Sequence, residues 1–258
     1  MTHALCEKGF FPRRKSPGKN GSDFFSPLRR ENAARLKSHE RIMKYRCLVF
    51  DHDDTVVNST ATIHYPSFVA FLEEYFPEKS CSLEHYFLKN FDPGFIPMCK
   101  GEYGMSDEDL QIEVRFWQDY VRTRIPRAYP GIREIMESQK AAGGLVAVVS
   151  HSMSGNILRD YRENGLPEPD AVFGWEQPVE QRKPNPWPLE EIMRRFSLGP
   201  SELLMIDDLK PGYDMARSCG VDFAAVGWAN DIPQIEDFMR RNCRLYFKTV
   251  PELASWLA

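Results

Sequence analysis

Asp51 and Asp53 stand two residues apart, directly after the apolar run 47–50, in the stretch KYRCLVFDHDDTVVNS that covers residues 44–59. In an extended chain, residues two apart project to the same side. Two carboxylates held that close repel each other, which favours a bound cation or a shared proton. A second acid pair, Asp207 and Asp208, closes another apolar run, 203–206; Ser150 closes a third, 145–149. Lys183 lies in a proline-rich loop before a helical stretch that begins at Pro186. Carboxylates suit a hard divalent cation such as Mg²⁺, whereas a hydroxyl and an ammonium suit phosphoryl oxygens. Each element alone has a plainer reading: an acidic turn at Asp51 and Asp53, helix caps at Ser150, Asp207 and Asp208, and a solvated loop lysine at 183. Their joint occurrence at the ends of apolar runs points instead to one site for a phosphate ester and a cation.

Short runs that are apolar throughout, bounded by polar residues, read as strands buried on both faces, the kind found in parallel sheets. In such sheets ligands bind outside the carboxyl ends of the strands, the ends where these polar residues sit. Strands are expected at 47–50, 145–149, 171–173, 203–206, 223–226 and 245–247. Helices are expected after Pro130–Gly131 and over 154–164, 186–196, 211–219 and 232–241. This alternation predicts an α/β fold, a three-layer Rossmann-like parallel sheet with right-handed crossovers. One block interrupts it after the first strand. Residues 66–76 place Phe68, Phe71, Leu72, Tyr75 and Phe76 on one helical face, and 81–91 form a weaker helix. Residues 92–103 read as irregular, broken by Pro93, Gly94, Pro97 and Gly101. Ser106 then caps a long helix whose first turn holds Asp107, Glu108 and Asp109. The chain divides into a core of residues 43–60 and 127–258, a helical insert over 61–126 whose aromatics form its own core, and an extension over 1–42.

That extension holds ten Lys/Arg against four Asp/Glu, rich in Pro, Gly and Ser and without periodicity, and reads as disordered. The whole chain carries a net charge of −4, so the remainder holds −10 and nucleic acid is not an expected partner. No apolar run approaches the roughly 20 residues of a membrane span. The six cysteines form no C-x-x-C pair or metal-finger spacing, which fits reduced thiols and a cytoplasmic protein.

Four of these segments resemble the four motifs of the haloacid dehalogenase superfamily over residues 44–227. The first is Asp51-His52-Asp53-Asp54-Thr55, like D-x-D-x-T after a hydrophobic strand. The second is Ser150 after LVAVV. The third is Lys183 in Arg182-Lys183-Pro184-Asn185-Pro186, like K-P-x-P. The fourth is Asp207-Asp208-Leu209-Lys210-Pro211-Gly212, running on to Ala216 and Gly220, like the acidic-pair variant of the β-phosphoglucomutase-like branch. The sequence departs from the family's usual residues in having Asp54 for Gly, His151 for Asn and Leu209 for Ser. The insert matches the family's helical cap.

The resemblance implies a phosphatase in which Asp51 is the nucleophile that forms an aspartyl-phosphate and Asp53 the general acid and base. It places Mg²⁺ on Asp51, the carbonyl of Asp53 and Asp208, with Asp207 close by, and puts Thr55, Ser150 and Lys183 around the phosphate. The cap closes over a small phosphorylated metabolite, of the phosphoglycolate type, hinged at residues 60–64 and 125–129. The alternatives are a phosphosugar mutase, favoured by the acid pair, and a non-catalytic phosphate-binding module.

Overall fold

The computed structural model describes residues 43–258. The expectation for residues 1–42 lies outside them.

Six parallel strands form the main sheet: β1 (Cys47–Phe50), β4 (Leu145–Val149), β5 (Ala171–Phe173), β6 (Leu203–Asp207), β7 (Asp222–Val226) and β8 (Leu245–Phe247), in the order β5-β4-β1-β6-β7-β8. The sheet is buried on both faces, and the alternation of side chains divides its residues between two cores. Cys47, Val49, Ala147, Val149 and Met205 face one layer. There they meet α7 (Trp187–Phe196), α8 (Lys210–Cys219) and α9 (Pro233–Asn242) through Leu189, Ile192, Met215, Ala216 and Met239. Leu48, Phe50, Val146, Val148 and Ile206 face the other. That layer holds α5 (Ile132–Ala141), α6 (Ser154–Glu163) and α10 (Val250–Leu257), through Ile132, Met136, Ile157 and Leu253. This is the three-layer arrangement expected of consecutive parallel strands with helical crossovers.

β1 lies between β4 and β6, with Phe50 level with Val148 on one side and Ile206 on the other. The backbone N–H of Asp51 donates to the Ile206 carbonyl at 2.9 Å, so the nucleophile candidate and the acid pair leave the sheet at one height. Here the chain order changes direction across the sheet, which opens a crevice at the strand ends.

Between β1 and β4 the chain makes a two-stranded antiparallel ribbon, β2 (Val57–Asn58) with β3 (Arg127–Ala128), and carries the helical block beyond it. The ribbon is absent from the sequence reading, because two-residue strands carry no periodicity. Past β2 a wide helical turn, Thr60–His64, runs into α1 (Tyr65–Tyr75), followed by α2 (Leu83–Phe91), α3 (Phe95–Glu102) and α4 (Asp107–Val121). Phe68, Phe71, Leu72, Tyr86, Met98, Cys99 and Leu110 form a cluster of their own within this block. Ser106 and Asp109 make a reciprocal capping box at the start of α4.

The irregular reading of residues 92–103 is corrected by α3. Gly94 caps it at φ +109°, a conformation glycine tolerates, and Pro97 falls in the first turn, where its missing N–H has no partner to lose. Pro93, Gly94 and Pro97 mark where the helix begins, and Gly101 falls in its last turn without interrupting it. The block also rests on the core, through Phe91 against Phe238 with ring centroids 5.2 Å apart. Among the described residues, no helix is long and apolar enough to cross a membrane.

Candidate active site

The expected residues converge at the carboxyl edge of the sheet, but in two groups. Asp51, Asp207 and Asp208 form the first, with carboxylate oxygens all within 4.8 Å of one another. Lys183 reaches between them, its Nζ 2.7 Å from Asp51 Oδ1 and 2.8 Å from Asp207 Oδ2. Burial opposes charge on this lysine, yet Asp207 and Asp51 outweigh it and hold the ammonium above its ordinary range. Asp207 also accepts the N–H of Leu209 at 2.8 Å, closing the turn into α8. A Cβ at Gly212 would lie 2.0 Å from Asp207 Oδ2, so only glycine lets the first turn of α8 come this near.

One lysine does not balance three acids out of water. Burial, with Lys183 opposing and Asp51 adding to it, pushes the Asp207 carboxyl up to about 7. Burial, reinforced by Asp54, Asp207 and Asp51, pushes Asp208 well above the carboxylate range. A set of oxygen donors short of positive charge is what a hard divalent cation fits. Thr55, expected at the phosphate, donates its hydroxyl to Asp208 Oδ1 at 3.1 Å and so orients that carboxylate.

Asp53 belongs to the second group. Its carboxylate turns out of the acid cluster and accepts from Ser59 Oγ at 2.7 Å, His64 Nε2 at 2.8 Å, Ser152 Oγ at 2.6 Å and Ser150 Oγ at 3.4 Å. Burial alone would raise its pKa. His64 by charge and hydrogen bond, then His52 and Ser152, more than offset this and hold Asp53 below the usual carboxylate range. Ser150, expected at the phosphate, also accepts the Ser152 N–H at 3.2 Å. Its hydroxyl therefore serves the turn after β4 as well as Asp53.

The residues around motif I acquire reasons here. Asp54, where glycine is usual, has φ +61°, a left-handed conformation that aspartate tolerates better than most side chains. Its carboxylate accepts the Thr60 N–H at 3.2 Å, tying the turn to the first residue of the helical block. His52 points to the other face. It stacks on Tyr161 and meets Asp160 Oδ2 at 3.2 Å. His151 donates from Nε2 to the Lys183 carbonyl at 3.0 Å, and burial lowers its pKa to about 4, so the ring is neutral.

Several contributors escape sequence reasoning: Ser59, His64, Ser152 and, behind His64, Trp117. The spacing of Ser152 two residues after Ser150 is the one local signal for any of them. Three cations of the helical block and its exit are engaged at the surface: Lys100 pairs with Asp107, Arg122 lies 3.8 Å from Asp119, and Arg124 stacks on Tyr120.

Comparison with known proteins points to one family. The family described as haloacid dehalogenase-like hydrolase matches residues 48–226. Pyrophosphatase PpaX of Halalkalibacterium halodurans is 25% identical over 203 residues, 77% of this chain and 90% of that protein. The crystal structure of a predicted phosphoglycolate phosphatase from Haemophilus somnus superposes with a TM-score of 0.66 at 19% identity, covering 84% of this chain and all of that one. A candidate β-phosphoglucomutase from Bacteroides vulgatus gives 0.65 at 16% identity, covering 87% and 92%. With its motifs at the ends of β1, β4 and β6 and the family match spanning them all, the chain belongs to the haloacid dehalogenase-like hydrolase family.

Proposed function

We propose that this hydrolase is a Mg²⁺-dependent phosphatase of small phosphomonoesters. The observation that carries the reading is the separation of two carboxylates two residues apart. Asp51 lies in the cluster of acids around Lys183, and Asp53 in a cradle of hydrogen-bond donors. A nucleophile and a proton carrier need those two environments.

The Asp51 carboxylate attacks phosphorus, the bond to the leaving oxygen breaks, and an aspartyl-phosphate forms. Asp53 gives a proton to that oxygen, then takes one from the water that hydrolyses the intermediate. A phosphate brought beside Asp53 raises its proton affinity by like-charge repulsion, against the donors that hold it ionised in the free site. Lys183 neutralises charge on the nucleophile and the phosphoryl oxygens, and Ser150 turns its hydroxyl to the same group. Mg²⁺ on Asp51 and Asp208, with Asp207 adjacent and the Asp53 carbonyl as a further donor, would screen the repulsion between carboxylate and phosphate. Residues 61–126 act as the cap that excludes water. The five described cysteines are all free, which fits a cytoplasmic place of action.

The names of the relatives suggest phosphoglycolate and pyrophosphate as substrates to try. A mutase of phosphosugars is the second reading, supported by the presence of both Asp207 and Asp208 in the cluster. The presence of Asp51, Asp53, Lys183 and Asp208 together argues against a binding module without activity. A panel of phosphate esters with Mg²⁺, wild type beside Asp51→Asn, tests the reading. Turnover in the wild type and none in the folded variant is expected, and equal turnover in both would overturn it. Steady release of inorganic phosphate from sugar phosphates separates hydrolase from mutase.

A further inference from the structure

Glu113 is 5% exposed and lies in the middle of α4, in the helical block. Among the described residues it has no ion pair or hydrogen bond. Burial pushes its carboxyl up to about 7, and His64 is the one titratable side chain that counters this. Removing a carboxyl from water without a partner costs free energy that the rest of the fold must offset. The packing of the block does not need the group, because its cluster is built from apolar residues such as Phe68, Phe71 and Leu110.

Position explains what packing does not. Glu113 precedes Trp117 by four residues, one helical turn, so the two share a face of α4 about 6 Å apart along the axis. Trp117 donates to His64 at 2.9 Å, and His64 holds Asp53 at 2.8 Å. The phenol of Tyr86 lies within electrostatic reach of both Glu113 and Asp53. A second polar group is stranded in the same block: Ser67 Oγ, buried and without a partner, one turn beyond His64. Glu113 is thus linked, through the face it shares with Trp117 and through His64, to the side of Asp53 from which a leaving group would depart.

We propose that Glu113 is the specificity residue for the leaving group, accepting a hydrogen bond from a hydroxyl or ammonium that the substrate carries beyond its ester oxygen. This rests on the phosphatase reading and narrows it. The Glu113 carboxylate favours polar neutral or cationic leaving groups and disfavours anionic ones, phosphoglycolate among them.

The test compares kcat/KM at pH 8 with Mg²⁺ for 2-hydroxyethyl, 2-aminoethyl and n-propyl phosphate and phosphoglycolate. The wild type should prefer at least one donor-bearing ester to n-propyl phosphate by about tenfold, with phosphoglycolate slowest. Which donor-bearing ester is faster separates hydroxyl from ammonium. Glu113→Leu should bring the donor-to-propyl ratio to about one. Glu113→Gln keeps the volume and should narrow the gap to phosphoglycolate, which carries the test if the leucine variant does not fold. A role in folding alone would lower all four rates together and leave their ratios intact. A wild-type ratio near one, or ratios unchanged in both variants, overturns the proposal while phosphatase activity stands. No turnover of any ester overturns the phosphatase reading first, and this inference with it.

Discussion

The indole N–H of Trp117 donates to Nδ1 of His64 at 2.9 Å, and the other nitrogen of the same ring holds Asp53 at 2.8 Å. Indole nitrogen only donates, so the bond requires a lone pair on Nδ1 and places the ring proton on Nε2, facing Asp53. Burial lowers the pKa of His64, but the charge and hydrogen bond of Asp53 outweigh it and raise the pKa, favouring the doubly protonated ring. The Trp117 bond opposes this by favouring the neutral ring. A helix of the inserted block thus sets the tautomer of the residue that holds the proposed acid.

Trp117→Phe keeps an aromatic ring and removes the donor. Turnover of alkyl phosphates, which need a proton at the leaving oxygen, should fall about tenfold, and that of nitrophenyl phosphate much less. Rates on both ester classes, measured side by side, check this. Equal losses would mean that the indole supports packing only.

The two acids at the end of β6 should respond differently to substitution. Asp208 is oriented by Thr55 and starved of positive charge, so Asp208→Ala should raise the Mg²⁺ needed for half-maximal activity at least tenfold. Asp207 holds Lys183 and the Leu209 N–H, so Asp207→Ala should chiefly lower stability, by about 1–3 kcal/mol, and Tm with it. Magnesium titrations and melting curves on both variants distinguish them. A normal magnesium requirement in Asp208→Ala would refute the cation site.

Glu113 makes stability depend on pH. Its folded carboxyl titrates at about 7 against an ordinary value of 4.5, so the folded state binds the extra proton between those limits. Stability from this group is therefore lost as pH rises from about 4.5 to about 7 and is level above that. Glu113→Gln should stabilise the protein at pH 8 by up to about 3 kcal/mol and change it little at pH 4. Melting curves across that range give the answer. A gain independent of pH would show that the carboxyl is not the cause.

Arg159 of α6 clamps the end of α4. Its guanidinium donates to the carbonyls of Val121, Arg122 and Arg124 at 2.9–3.2 Å and to Asp160, which meets His52, the neighbour of the proposed nucleophile. Lysine cannot supply this fork. Arg159→Lys should cost about 1–3 kcal/mol and speed amide exchange across residues 122–126, at the exit from the block. Unchanged exchange there, whatever the change in Tm, would show that the clamp does not hold this segment.

Sequence alone determined the sheet and the place of its chemistry. Runs such as Cys47–Phe50 and Leu145–Val149 are apolar throughout because both faces are covered, and such runs imply parallel strands whose polar successors share an edge. Asp51, Asp207 and Asp208 were legible at that edge for that reason, and Lys183 from its proline-rich loop; the start of α4 was legible too, where Ser106 and the acids after it form a local signal. Tertiary structure alone decided how the site is wired. Asp53 takes its donors from Ser59, His64 and Ser152, the last of them 99 residues away, and Trp117 reaches His64 across 53. Thr55, assigned to the phosphate by its motif, turns to Asp208, because the tight turn at Asp54 sets the direction of its side chain. Ser59, His64 and Ser152 sit in no periodic pattern, and Trp117 shares the apolar spacing of Leu110, Val114 and Val121, which marks a helix face and not a partner. A polar side chain whose partner arrives from a distant helix leaves no trace in its neighbours, so its role exists only once the chain has closed on itself.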